Sequence, residues 1–503
     1  MGASAIRLLI AELNPTSEIR VIEEASRGVL LGRDTFATGL VRAETADIAL
    51  GVLDRFRTII DHYGAGEIRA VATSAVREAR NADVFLDRIR GRTGLSFETI
   101  NEAEESRLMY LAAREALGSH RAFLEGPTLL AEIGGGSTSL TLLRRGKPAR
   151  SGVYGLGSVR IREQLDLRRH SLEIRVALIK RFIANVVNEI RLDMPLARIS
   201  SFVALGGDVR FAAAQILEQE GDSEIHEIPR AAFLAFCDQL EQLDEEALFE
   251  RFRLAAVDAE TLVPALLVYR TLLAESAADH IVVCDASLRD GILIDLTKAG
   301  GRLAGEGFAE QVLTSAEALG QKYRFDRAHG RHVAALAMQL FDTFVDEHGL
   351  SYRDRLLLQV AALLHDVGQY VGLRAHHKHS QYLLASSQIF GLSNEETAVV
   401  SNIARYHRRG NPQQTHLPYA ALDRRDRLLV NKLAAMLRIA NALDAEHLQK
   451  IRAVRLRQDA KAWILEIEGT GDLTMECMAA TGRADLFAET FGRKLIVRPS
   501  TFA

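Results

Sequence analysis

Glu132 stands at the mouth of the turn Gly134-Gly-Gly-Ser-Thr138, with strand-like runs on either side. Gly134, Gly135 and Gly136 leave backbone N–H groups uncovered, and Ser137 and Thr138 add hydroxyl donors; together these suit the oxygens of a phosphate. The Glu132 carboxylate could hold a hard cation against such an oxygen. A single triple glycine beside a strand is by itself an ordinary hairpin. Here a second loop, Ala204-Leu-Gly-Gly-Asp-Val-Arg210, follows the apolar run 199–205 and precedes a helical stretch, 211–219, so Gly206 and Gly207 offer a second cradle and imply a second lobe. Tyr154-Gly-Leu-Gly-Ser-Val-Arg160 and Ser287-Leu-Arg-Asp-Gly291 place more glycines and arginines at predicted strand ends, where open α/β sheets bind ligands.

The elements that must position these loops follow from periodicity. Residues 1–120 alternate strands (6–11, 19–25, 68–73) with helices (46–63, 104–117), the pattern of one α/β lobe. Residues 121–300 repeat the plan, with strands at 128–133, 139–144, 201–205 and 281–284. The four glycines within 297–307 predict a linker. A helical period then runs through 310–446, and alternation at 454–456 and 463–467 predicts a small α+β subdomain over 447–503.

With 503 residues, 48% of them hydrophobic, the chain can fill several cores. A net charge of −4 argues against general nucleic-acid binding and leaves a polyanion to be gripped by local arginine and lysine clusters. Cys237, Cys284 and Cys477 are far apart and form no ligand pair, as expected of thiols in a reducing compartment. No apolar run reaches the length of a membrane span and no charged-then-apolar leader is present, so a cytoplasmic protein is expected.

Six ordered motifs resemble the exopolyphosphatase/guanosine pentaphosphate phosphohydrolase (Ppx/GppA) family. They are Ala72-Thr-Ser-Ala-Val-Arg-Glu-Ala-Arg-Asn81, Glu104-Glu-Ser-Arg-Leu-Met-Tyr110, 132–139, Leu156-Gly157 with Arg160, Gly206-Gly207, and Arg289-Asp-Gly291. The resemblance implies a two-lobed α/β fold of the actin/hexokinase-like, ribonuclease H-like class, followed by an all-α HD-type domain. It implies Mg2+ or Mn2+ as cofactor, a homodimer, and inorganic polyphosphate or guanosine pentaphosphate as substrate. By the same resemblance Glu105, the second glutamate of its pair, is the base that activates water. Glu104 lies about 100° around the helix, so both cannot face one site equally. Arg77, Arg160 and Arg289 would neutralise the phosphates through planar guanidinium forks.

Three departures bear on this expectation. The resemblance implies a first strand with an aspartate just before Met1, and on that expectation Met1 would be an internal methionine read as the start. Glu132 replaces an aspartate, and Ser139 replaces a glutamate, removing a carboxylate from the site. A phosphate-chain or nucleotide sensor without turnover is therefore the alternative from another class. In the helical half, His332, His365, Asp366 and a later acid resemble the histidine-aspartate phosphohydrolase metal pattern. The last ligand position falls on Asn441, with Asp444 one turn away. Lys378, Arg408 and Arg409, beside the histidines of 376–379 and 407, form a candidate polyanion track.

Overall fold

The computed structural model describes residues 1–13, 19–165, 167, 170–217, 225–299, 303–459 and 461–500. These fall into two compact units, 1–307 and 308–503.

In the first unit, β1 (Ala5–Leu13) and β2 (Ile19–Gly28) form an antiparallel hairpin. Strands β3 (Ala70–Ala72) and β4 (Phe97–Thr99) pair in parallel. Met1 lies beside β3, its amine donating to Val71 O at 2.7 Å and its carbonyl accepting from the Thr73 N–H at 3.1 Å. The helix Ala43–Tyr63 buries Ala46, Ala49, Leu50, Leu53, Phe56 and Ile60, a three-and-four spacing that gives it one apolar face. Burying each large apolar side chain contributes about 1.5–3 kcal/mol. Gly64, at φ 62°, ends the helix in the left-handed conformation that glycine adopts without strain.

Six strands then form one sheet: β5 (Pro127–Ile133), β6 (Thr138–Arg144), β7 (Lys147–Tyr154), β8 (Ser201–Leu205), β9 (Ile225–Pro229) and β10 (His280–Cys284), in the order β7-β6-β5-β8-β10-β9. Strands β5, β8 and β10 run parallel, while β6, β7 and β9 are antiparallel to their neighbours. Glu132 pairs in register with Leu205, so the loops after β5 and β8 emerge side by side. Tyr269, fully buried on the helix Ala256–Ala274, fixes that level: its hydroxyl donates to Leu205 O and accepts from the Ile133 N–H at 3.1 Å.

The helix Leu288–Ala299 packs on the helix Glu102–Leu117 so closely that a Cβ at Gly291 would overlap the Leu108 carbonyl. The expected linker over 297–307 is corrected in part. The chain is helical through Ala299 and again from Leu303 to Lys322, and 300–302 lie outside the described residues.

In the second unit the helices Arg327–Asp342, Tyr352–Leu364, His376–Ala385, Asn394–Arg405 and Arg424–Ala442 surround a core rich in leucine and alanine. Ser351 and Ser393 open two of them with capping boxes. Strands β11 (Ile451–Gln458), β12 (Ala462–Gly469) and β13 (Lys494–Pro499) close the unit. Val454, Trp463, Leu465 and Leu495 pack into the same core as the helices, so the described residues of 447–503 share the core of the helical unit.

Candidate active site

A cleft of about 570 Å³ opens over the ends of β5 and β8, and Glu105, Glu132, Gly134, Asp208, Arg210 and Arg289 are among its lining residues. Asn101 caps the helix Glu102–Leu117 by accepting from the Glu104 N–H, which sets the rotation of the two glutamates. Glu104 turns away, accepting from Arg107 Nε and Nη2 at 2.7 Å each and from Arg69 at 3.2 Å, while Asp295 takes a further bond from each arginine. Burial opposes its charge, but the Arg107 hydrogen bonds hold Glu104 below the usual carboxylate range. Glu105 faces the cleft. Its Oε2 makes no hydrogen bond and lies 3.6 Å from Arg77. Burial raises its pKa against the pull of Arg77.

The glycine loop after β5 is shaped by contact. A Cβ on Gly135 would press on Ala3, and one on Gly136 would overlap the Ser74 hydroxyl. Gly157 is equally constrained, since a Cβ there would overlap the backbone of Gly135 and Gly136, while the N–H groups of Ser158, Val159 and Arg160 donate to the carbonyls of Gly134 and Gly135. Ser137 and Gly207 also line the cleft, and Gly206, with φ at 123°, turns the second loop in a conformation open to glycine.

Some expected roles move. Thr138 is fully buried and its hydroxyl donates to Leu156 O at 2.8 Å, so it is a strut of the sheet and not a phosphate donor. Arg160 donates to Gly136 O at 2.6 Å, pairs with Glu78 and lies 4.1 Å over the Phe36 ring, bracing the loop from behind. Arg77 donates to Ile100 O at 2.8 Å and touches the site only through Glu105. Arg289 does line the cleft, held by Glu24 and Leu8 O. Ser139 Oγ lies 2.7 Å from Ser106 Oγ in a buried hydroxyl pair, which fills the place of the missing carboxylate.

Three cleft residues escape a reading of the sequence alone. Asp208 follows Gly206-Gly207 as directly as a site acid could, and that adjacency is the available signal. Its pKa is pushed up to about 7 by burial and by Asp258, and that of Glu132 to about 8 by burial and by Glu105. Arg7 sits between the core residues Ile6 and Ile10 on β1, so strand alternation turns it to the opposite face, within electrostatic reach of Glu132, Asp208, Arg210 and Arg289. Arg210 pairs with Asp285.

In the second unit the histidine that meets His365 is His329 and not His332. His329 Nε2 lies 3.3 Å from His365 Nε2, and its Nδ1 lies 2.8 Å from Asp444, whereas His332 Nε2 makes no hydrogen bond. Asp444, and not Asn441, supplies the carboxylate. His376 and His407 join Asp366 in the same cluster. Lys378, Arg408 and Arg409 are exposed, with Arg408 in electrostatic reach of His376.

The profile of the Ppx/GppA phosphatase family matches residues 9–299, and that of Ppx/GppA phosphatase, domain III, matches residues 313–478. This describes the helical unit as the family's own third domain rather than as the expected HD-type domain. The chain is 24% identical over 433 residues to guanosine-5'-triphosphate,3'-diphosphate pyrophosphatase of Vibrio campbellii, covering 83% of this chain and 81% of the relative. It is 25% identical over 335 residues to exopolyphosphatase 1 of Mycobacterium tuberculosis, covering 64% and 93%. Two solved structures share the fold. An exopolyphosphatase from Cytophaga hutchinsonii is 21% identical with a TM-score of 0.55, covering 59% of this chain and 96% of that one. The Aquifex aeolicus member of the Ppx/GppA family is 23% identical with a TM-score of 0.50, covering 60% and 97%. No helix among the described residues is long and apolar enough to cross a membrane. The chain belongs to the Ppx/GppA phosphatase family, whose members are phosphoanhydride hydrolases.

Proposed function

We propose that the chain hydrolyses the terminal phosphoanhydride of inorganic polyphosphate in the cleft of its first unit. The observation that carries this is Glu105: a largely buried carboxylate facing the cleft, with one oxygen that makes no hydrogen bond and a raised pKa, beside two glycine loops. Glu105 accepts the proton of a water whose oxygen attacks the terminal phosphorus, and the bridging P–O bond breaks so that its oxygen leaves with the shortened chain. The Gly134 N–H is spent on Ser137 O at 2.9 Å, so the N–H groups of Gly135 and Gly136, with Arg7 and Arg289, hold the phosphoryl oxygens as charge redistributes. Glu132 and Asp208 offer only oxygen donors, which suit Mg2+ or Mn2+, and burial raises the pKa of both, so a cation there would favour their ionised forms. Such a cation would supply charge neutralisation on the phosphate oxygens.

A second reading is removal of the 5′-terminal phosphate from guanosine pentaphosphate. The likeness to the Vibrio campbellii guanosine-5'-triphosphate,3'-diphosphate pyrophosphatase, which covers 83% of this chain and 81% of that relative, supports it. The test is phosphate release from long-chain polyphosphate with Mg2+, with guanosine pentaphosphate as competitor. Glu105→Gln is expected to lower release by about 10²- to 10⁴-fold while leaving the fold intact. Polyphosphate binding by the wild-type chain without any release would overturn turnover and leave the sensor.

A further inference from the structure

The histidines of the second unit are arranged so that lone pairs, not N–H groups, face one another. His365 Nδ1 lies 2.7 Å from Ala362 O, His407 Nδ1 2.5 Å from Ala404 O, and His376 Nδ1 3.1 Å from Leu373 O. A carbonyl can only accept, so each neutral ring carries its proton on Nδ1 and presents a bare Nε2. His376 Nε2 and His407 Nε2 are 3.1 Å apart, and they lie 3.1 and 3.3 Å from Asp366 Oδ1, an oxygen that makes no hydrogen bond. Three acceptors thus meet with no donor between them.

On the other side of Asp366 two bare imidazole nitrogens again face each other, although here the carboxylate oxygen already has one donor. Its Oδ2 lies 3.7 Å from His365 Nε2, which is 3.3 Å from His329 Nε2, and Gln369 donates to the same oxygen at 2.6 Å. His329 Nδ1 faces Asp444 Oδ2 at 2.8 Å, and the Gln449 N–H holds Asp444 Oδ1 at 2.7 Å, so His329 too directs Nε2 inward. His329, His365 and His407 are each at most 1% exposed. Buried acceptors at such separations repel unless a positive charge lies among them. A divalent ion, at about 2.0–2.2 Å from each donor, fits between groups that are themselves 3.1–3.7 Å apart.

We propose that the second unit binds two first-row transition-metal cations bridged by Asp366, one held by His376 and His407 through Oδ1 and the other by His329 and His365 through Oδ2. Imidazole donors select Mn2+, Fe2+, Co2+ or Zn2+ over Mg2+, in contrast to the all-oxygen donors of the cleft. The site does not depend on the reaction proposed for the first unit.

The experiment uses the full chain carrying Glu132→Gln, which removes a cleft ligand. It is stripped with chelator, reloaded with Co2+ and desalted, and bound metal is counted by elemental analysis. Two equivalents are expected, with visible cobalt bands that excess Mg2+ does not bleach. His376→Ala and His407→Ala should each retain one equivalent and Asp366→Asn fewer than one, while His332→Ala should retain two. Because Asp366→Asn removes a buried charge, circular dichroism checks its fold. His376→Ala, at the half-buried start of a helix, carries the test if that variant does not fold. One equivalent or none in the Glu132→Gln chain, or two in His376→Ala, would overturn the proposal and leave a protonated imidazole as the charge that holds Asp366.

Discussion

Glu132→Gln should make the metal-free chain more stable at alkaline pH and change little at pH 5. The Glu132 pKa rises from 4.5 to about 8, chiefly through burial and then through Glu105. A carboxylate whose pKa is raised by folding keeps its proton in the folded state while the unfolded chain has lost it. Its protonated form therefore costs nothing below pH 4.5, and stability falls as pH rises from 4.5 towards about 8. At about 1.4 kcal/mol per pKa unit, the gap between 4.5 and about 8 sets a ceiling of about 5 kcal/mol. Asp208, with its own value pushed to about 7, titrates in the same window, so the pair shares the transition and an effect on the order of 2–5 kcal/mol is expected. The assay is thermal unfolding of both chains in chelator from pH 5 to 9, repeated with Mg2+. The wild type should fall behind the variant as pH rises and recover with Mg2+, which binds the ionised site of the folded state. A wild-type-minus-variant difference that stays flat, or that grows in favour of the wild type with rising pH, would refute the placement of Glu132 in a site where burial outweighs the pull of Arg7.

Tyr269→Phe leaves the Ile133 N–H and Leu205 O without their shared partner, so a loss of about 1–3 kcal/mol in thermal unfolding is expected, with kcat falling more than KM because the hydroxyl sets the level of both loops. Gly157→Ala forces the glycine loop away from its place and should lower kcat/KM for phosphate release by about 100-fold. Gly207→Ala, with open space at its Cβ, should leave the melting temperature unchanged. Arg107→Ala leaves Glu104 and Asp295 with Arg69 as their remaining partner and should destabilise the chain by about 1–3 kcal/mol in thermal unfolding.

What the sequence discloses here is local chemistry. The glycine loops are legible because backbone donors need only glycine and a strand end, and one helical step shows that Glu104 and Glu105 cannot face one site equally, while the choice of Glu105 comes from the family resemblance. Side-chain aim is not local. Arg160 reads as a phosphate ligand until Phe36 and Glu78, far away in sequence, claim its guanidinium. Thr138 reads as a loop hydroxyl until the β6 register turns it inward to Leu156. His329 and His332 are about 60° apart on their helix, and only the position of Asp444 decides between them. Strands β4, β7, β9 and β13 are not evident from alternation. Of these, β7, β9 and β13 lie at sheet edges, where polar residues interrupt the pattern.

Donor chemistry also separates the two units in a way that affects how metal dependence is measured. The cleft presents carboxylates and no imidazole, so its cation should exchange readily with Mg2+ in solution. The second unit presents imidazole nitrogens around one carboxylate, a donor set that holds transition metals more firmly. A strong chelator added before an assay would empty both, and loss of activity would then be blind to which one mattered. Adding back Mg2+ alone resolves this. Phosphate release restored by Mg2+ in a chain still lacking transition metal assigns the reaction to the carboxylates of the first unit, whatever the histidines hold. Release restored only by Co2+ or Zn2+, with Mg2+ and Mn2+ already in excess, would make the histidine centre a partner in turnover, and Glu105 would no longer suffice as sole base.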